Sequence, residues 1–378
     1  MSVKQNLLNN LKNVWGWRTP RKLVVFAVDD YGNVRLDSQE ARLNLNKAGF
    51  KPKSRFDVYD TLETKGDLDH LYSVLMSVKD SVGNYAKWTP YSVPANINFE
   101  RIKQDSYAEY EFELLDETFD KLSHHNPIHY GGAWSLWLEG IQKGLMNPEY
   151  HGREHLNLKV FNEKLSARDK DIMAALENRS YTNIDDRNYP TINYTASCDF
   201  WETEENELIN QSLLEGLELF RKVFGVESHV FMPPTSQIHP SHFESLKEAG
   251  VDFIETNLIH RQHMGNGKYK TNINYTGKRI EKGQHYIVRN VVFEPCNDKN
   301  LNSVDLALSQ IEAAFRWKRP AIVSSHRVNF SGLIEPRNRK EGLEALKILM
   351  KSIVKKWPDV EFISSGELGD IMKESIET

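Results

Sequence analysis

Apolar residues fall along this chain in two rhythms. One is a continuous run, 23-LVVFAV-28, that stops abruptly at Asp29-Asp30. Six apolar residues without alternation suit a strand covered on both faces, as in a parallel sheet flanked by helices. The other rhythm is helical: Leu208, Ile209, Leu213, Leu217, Phe220 and Phe224 predict a helix over 205–224. The two then alternate. A short strand at 229–231 precedes a helix over 241–249, closed by Gly250, where a helix C-terminus favours a residue tolerant of left-handed geometry. Strand 251–255, strand 286–293, a helix over 304–317 behind a Ser303 cap, and buried strand 321–325 follow. Leu343, Leu346, Leu349, Ile353 and Val354 stripe a helix that stops before Trp357-Pro358, and strand 360–365 and a short helix complete the series.

Strand and helix in alternation predict an α/β fold, either a barrel or a doubly wound sheet, with the active site at the C-terminal ends of the strands. Asp29, Asp30 and His326 all stand at such ends. Residues 50–150 break the rhythm, with a strand candidate at 92–99, a helix candidate at 109–122 and a segment rich in His, Tyr and Trp at 124–138. Repeats, low-complexity tracts and long Pro/Gly linkers are all missing from the sequence. It therefore reads as one domain, 1–378, with a long insertion at about 50–150 after the first strand.

Composition narrows the function classes. The 378 residues carry 48 basic and 53 acidic side chains, well mixed, for a formal charge of −5. That leaves no basic stripe for nucleic acid. Near the start, Leu7, Leu8, Leu11, Val14 and Trp15 are spaced roughly as on a helix, without the unbroken apolar core of a signal peptide, and no later segment approaches a membrane span. Two cysteines, Cys198 and Cys296, in no metal-knuckle spacing, fit a reducing compartment, and the expected location is cytoplasmic.

Four stretches carry candidate chemistry. Adjacent carboxylates at a strand end, Asp29-Asp30, must diverge, so one can bind a metal while the other faces the space of an attacking water; an acidic turn is the plain alternative. His151 and His155, together with one carboxylate, form a donor set that suits zinc. The same residues match H-x-x-E-H, the inverted zinc-peptidase motif, with Glu154 as base. That reading needs a helix, in which Gly152 costs about 1 kcal/mol relative to Ala. Pro233-Pro234 rigidifies a loop ahead of the helix over 241–249, and His326 just past a buried strand is placed for proton transfer.

In their order, 26-FAVDDYG-32, 151-HGREHLNL-158, 231-FMPPTSQIHPSHFESLKEAGV-251 and 322-IVSSH-326, these pieces resemble the polysaccharide deacetylase superfamily of metal-dependent carbohydrate esterases. The resemblance spans about residues 22–370, with 50–150 unaccounted for. It implies an irregular (β/α) barrel and one divalent metal, with zinc the expected ion. Asp29 would be the general base, Asp30, His151 and His155 the ligands, and His326 the general acid. Thr235 would offer a backbone N–H to the oxyanion. Pro234, Arg289, Glu294 and Trp134 are expected to face a carbohydrate substrate, an acetylated sugar.

Three departures stand against the resemblance. The family's base-orienting arginine is Met232 here, with Arg153, Arg289 or Arg327 as possible spatial substitutes. Tyr31 is inserted before Gly32, and the family's acid-and-Trp motif is not evident, Glu294 being the nearest acid. Met232 keeps open a metal-bearing sugar-binding protein without hydrolysis. Of the insertion's aromatics, Tyr130, Trp134, Trp137 and Tyr150 suit the core at least as well as a sugar face.

Overall fold

The structure is a computed structural model that describes residues 3–181, 184, 188–297 and 301–377. Nine strands form one sheet in which every pairing is parallel: β1 (Lys22–Tyr31), β2 (Trp88–Ser92), β3 (Glu149–Tyr150), β4 (Val230–Phe231), β5 (Phe253–Thr256), β6 (His285–Val288), β7 (Val291–Val292), β8 (Ala321–His326) and β9 (Val360–Ile363). Their order is β6-β5-β4-β3-β2-β1-β8-β7, and β9 also pairs with β1. The two ends of this order, β6 and β7, are neighbours in the chain, so the seam of the curled sheet is bridged by Arg289 and Asn290 alone. Of the two folds the rhythm allows, a barrel or a doubly wound sheet, this is the irregular (β/α) barrel that the resemblance implies.

Side-chain parity explains what fills it. Leu23, Val25 and Ala27 of β1 join Tyr91, Val230, Met232, Phe253, Ile287, Ile322 and Ile363 in one buried cluster, the plug of the barrel interior. Val24, Phe26 and Val28 point the other way into the larger cluster beneath the surrounding helices. A strand alternates its faces with period two. Two residues beyond the plug, each strand therefore delivers its next inward side chain: Asp29 after Ala27, Glu255 after Phe253, Arg289 after Ile287, Ser324 after Ile322. An apolar layer is capped by a polar one at the C-terminal end of the barrel.

Several expectations need correction. β2 lies inside 50–150 and pairs with β1, so this range is not wholly an insertion. Its short WTPYS sequence, with Pro90 in it, does not look like a central strand. The predicted strand 286–293 is broken at Arg289-Asn290, where the Asn290 side chain accepts from Ile322 N at 2.9 Å and donates to the Pro320 carbonyl at 2.8 Å. The helix over 303–316 is capped by Asn302, not Ser303. Among the described residues no helix is long and apolar enough to cross a membrane.

Candidate metal centre and acid–base pair

Parity alone would send Asp30 outward, away from Asp29. The chain avoids this with a bulge. Between Val28 and Tyr31 the register of β1 against β2 slips, and Asp30 takes φ 76, the left-handed region. A bulge of this kind re-aims a side chain at the cost of backbone strain. Asp30 Oδ1 thereby lies 3.0 Å from His155 Nε2 and 3.7 Å from His151 Nε2, while Asp29 keeps its inward direction.

His151 follows β3 directly, and residues 151–157 form a loop in which Gly152 has φ 92. A helix begins only at Leu158. The inverted-peptidase reading, which requires a helix through this segment, is thereby excluded. Glu154 is buried and fully engaged: Arg153 Nε donates to it at 2.7 Å, Tyr110 Oη at 3.2 Å and Ser212 Oγ at 3.3 Å.

The donor set fits a divalent metal. One ligand atom from each of Asp30, His151 and His155 lies within 4.8 Å of the others, and all three residues are buried. His151 Nδ1 donates to the Met232 carbonyl at 2.6 Å, which leaves the Nε2 lone pair facing Asp30. That buried Nε2 has no hydrogen-bond partner. Burial also lowers the His155 pKa despite the adjacent carboxylate, favouring the neutral imidazole that a metal needs.

Beside this cluster stands the answer to Met232. Arg289, projecting from the strand break at the barrel seam, donates from Nη2 to Asp29 Oδ1 and from Nη1 to Asp29 Oδ2, each at 2.6 Å. Burial raises the cost of a charge on Asp29, but this fork outweighs it and holds the carboxyl below its ordinary value. Arg289 is held in turn. Its Nε donates to Glu255, which also accepts from Tyr91 Oη, and the guanidinium lies 5.3 Å from the centre of the Tyr91 ring. Of the two places expected for Arg289, facing substrate or substituting for the family's arginine, its fork on Asp29 matches the second.

Glu294 likewise differs from its expected role. It accepts His326 Nδ1 at 2.6 Å and is itself gripped by Arg55 and Asn329, each at 2.6 Å. Burial disfavours the imidazolium, yet Glu294 outweighs it and lifts the His326 pKa to about 9. His326 Nε2 lies 3.7 Å from Asp29 Oδ2, so the two titratable groups share one space. Phe56, from the short helix Phe56–Tyr59, packs edge-on against the His326 ring.

Trp134, expected to face substrate, packs one face of its ring on the core. It is half-buried, stacking on Phe119 at 5.5 Å and packing against Phe224 at the edge of the main core cluster. Tyr130, Trp137 and Tyr150 are buried in the same cluster. Pro234 is buried near Gly152 of the ligand loop, while Thr235 is exposed with φ 55. Sequence reasoning missed Glu255, Tyr91, Arg55 and Asn329. For Glu255 a signal existed: an acid at the end of 251-VDFIE-255, two residues past an apolar plug position.

No family model and no curated protein matches the sequence. Among solved structures, a Mycobacterium smegmatis protein assigned to the polysaccharide deacetylases is 11% identical, with 96% of this chain and 93% of that one covered, at a TM-score of 0.46. A Parabacteroides distasonis protein assigned as a glycoside hydrolase/deacetylase is 9% identical, with 94% and 72% covered, at 0.47. A family 4 acetyl xylan esterase from Clostridium thermocellum, solved with a cobalt ion, is 11% identical, with 93% and 91% covered, at 0.35.

Proposed function

We propose that this chain is a metal-dependent hydrolase of the polysaccharide deacetylase type, removing an acetyl group from an acetylated sugar. The observation that carries the reading is the Arg289 fork on Asp29, set beside the buried Asp30, His151 and His155. A fixed, ionised carboxylate next to a set of metal donors is what metal-assisted amide or ester hydrolysis requires of a general base. A divalent ion held by Asp30, His151 and His155, with zinc the expected one, would supply Lewis-acid polarisation of the acyl carbonyl. Asp29 takes the proton of the attacking water. His326, charged and steadied by Glu294, delivers a proton from Nε2 to the departing nitrogen or oxygen. The Thr235 backbone N–H is the candidate donor to the developing oxyanion.

The reading of a sugar-binding protein without hydrolysis drew its motive from Met232, and Arg289 removes that motive. Two measurements test the proposal. Metal analysis of the purified protein should find about one divalent ion per chain, and Asp30→Ala should lose it. Acetate release from a panel of acetylated sugars should fall by roughly a hundredfold or more in Asp29→Asn. Full metal occupancy in Asp30→Ala would sink the ligand assignment, and acetate release that Asp29→Asn leaves intact would sink the base.

A further inference from the structure

The first helix, α1 (Val3–Leu11), is seated on the barrel the wrong way round for a helix that needs only to be soluble. Asn9 and Asn10 of this helix, and Asn13 just beyond it, face the protein, while Asn6 is exposed. Asn9 and Asn13 are buried; Asn9 Nδ2 donates to Ser309 Oγ at 3.2 Å, and Asn13 Oδ1 accepts from Asn290 Nδ2 at 2.9 Å. Asn10 Oδ1 accepts from Arg316 and from Trp317, each at 3.1 Å. The Arg319 guanidinium then closes the segment on the carbonyls of Asn13, Val14 and Gly16.

The apolar side chains point outward instead. Leu7, Leu8, Leu11 and Trp15 are 59%, 49%, 50% and 62% exposed. The three leucines fall in one stripe on a helical period, and Trp15 stands in the bend beyond the helix. Apolar burial drives folding and association, so a helix that displays three leucines, followed by an exposed Trp15, has its apolar partner outside this barrel.

Charge indicates which partner. In a chain of formal charge −5, no Asp or Glu precedes Asp29, whereas Lys4, Lys12, Arg18, Arg21 and Lys22 do. Arg21 and Lys22 are paired with Glu361 and Asp359. Arg18 is exposed, and so is Lys318, whose carbonyl accepts from Thr19 N at 3.0 Å. In a symmetric dimer the same patch meets itself, which would set this basic rim against its own copy. Anionic lipid headgroups would complement it.

We propose that α1 is an interfacial anchor. It lays Leu7, Leu8, Leu11 and Trp15 into the headgroup region of an anionic membrane, with Arg18 and Lys318 against the phosphates. The helix sits where β7 and β8 begin, beside Asn290 and Pro320, whereas Asp29 and His326 stand where β1 and β8 end. Docking therefore leaves the candidate site open on the opposite pole. One short amphipathic element gives weak, reversible, salt-sensitive binding.

Flotation of the full chain with phosphatidylcholine vesicles, with and without phosphatidylglycerol, tests this. Binding is expected on the anionic vesicles, about tenfold weaker without phosphatidylglycerol, and reduced between about 0.1 M and about 1 M salt as screening shortens. The double variant Leu8→Glu/Leu11→Glu should abolish it, and Arg18→Glu/Lys318→Glu should weaken it by about tenfold. All four side chains are exposed, so both variants should melt with the parent protein, which separates lost binding from lost folding. A folded parent that ignores anionic vesicles overturns the proposal, as does flotation indifferent to both variants. So does a dimer, seen by sedimentation velocity, that Leu8→Glu/Leu11→Glu dissolves while the parent binds no vesicle.

Discussion

Two terminal nitrogens on two carboxylate oxygens, each at 2.6 Å, leave Asp29 almost no rotational freedom. Arg289→Met removes that fork while keeping an apolar stem in the seam, and kcat should fall by roughly a hundredfold through misplacement of the base. Metal content should not change, because Asp30, His151 and His155 do not touch Arg289; that pair of readouts distinguishes positioning from loss of the site. The acid has its own test. Glu294 raises the His326 pKa to about 9. In Glu294→Gln the imidazolium loses its counter-charge, so the protonated form disappears at lower pH. The alkaline limb of the kcat/KM profile should move to lower pH by about one unit or more, with the acid limb in place. An unmoved alkaline limb would show that the limb belongs to another group. These residues were half legible in the sequence. Strand-end position marked Asp29, Asp30 and His326, and spacing marked His151 and His155. Which of Arg153, Arg289 and Arg327 substitutes for an arginine at Met232 could not be read, because the substitution crosses the barrel rather than the sequence.

At the scale of elements, long periodic segments were legible, and short strands only where an apolar run or a neighbouring helix framed them, as for β4 within 229–231. The helix Asn206–Phe224 and the helix Pro336–Lys356 follow their apolar stripes closely. β3, two residues long, is too short for any period to register and was missed, while β7, also two residues, was read only as the end of 286–293. The bulge that turns Asp30 inward is a backbone event without a side-chain signature, since Asp is only an occasional occupant of the left-handed region. The close packing of the Pro336–Lys356 helix is similarly hidden. A Cβ at Gly342 would run into the carbonyl oxygen of Asn329, the residue whose side chain grips Glu294. Ala would favour an isolated helix by about 1 kcal/mol. Here the backbone collision should prevail, and Gly342→Ala should destabilise the protein by about 1–3 kcal/mol in a denaturant titration. A gain in stability would mean that the helix can slide off the Arg327–Phe330 turn at no cost.

For the molecule as a whole, stability should carry the signature of one histidine remote from the reaction. His242 is buried between helices, with Nε2 2.8 Å from Asn206 Oδ1 and Nδ1 3.3 Å from Asn210 Oδ1. Desolvation, aided by the nearby positive potential of His239, lowers its pKa from 6.5 to about 4. Unfolded, the same side chain titrates near the ordinary value. Between about pH 6.5 and about pH 4 the unfolded chain therefore binds a proton that the native one refuses. This contribution is fully present above the unfolded value and declines by about 1.4 kcal/mol per unit as pH falls through the window. It levels off below about pH 4, after a loss of roughly 3 kcal/mol at most. Other groups titrate in the same range, so the informative quantity is the difference between parent and His242→Gln. Gln keeps an amide donor for the two asparagine oxygens but cannot titrate. The variant should be somewhat less stable at pH 7, and the gap should close or reverse by pH 4.5. A gap that stays constant with pH would place the His242 proton equally in both states and remove the histidine from the acid sensitivity of the fold.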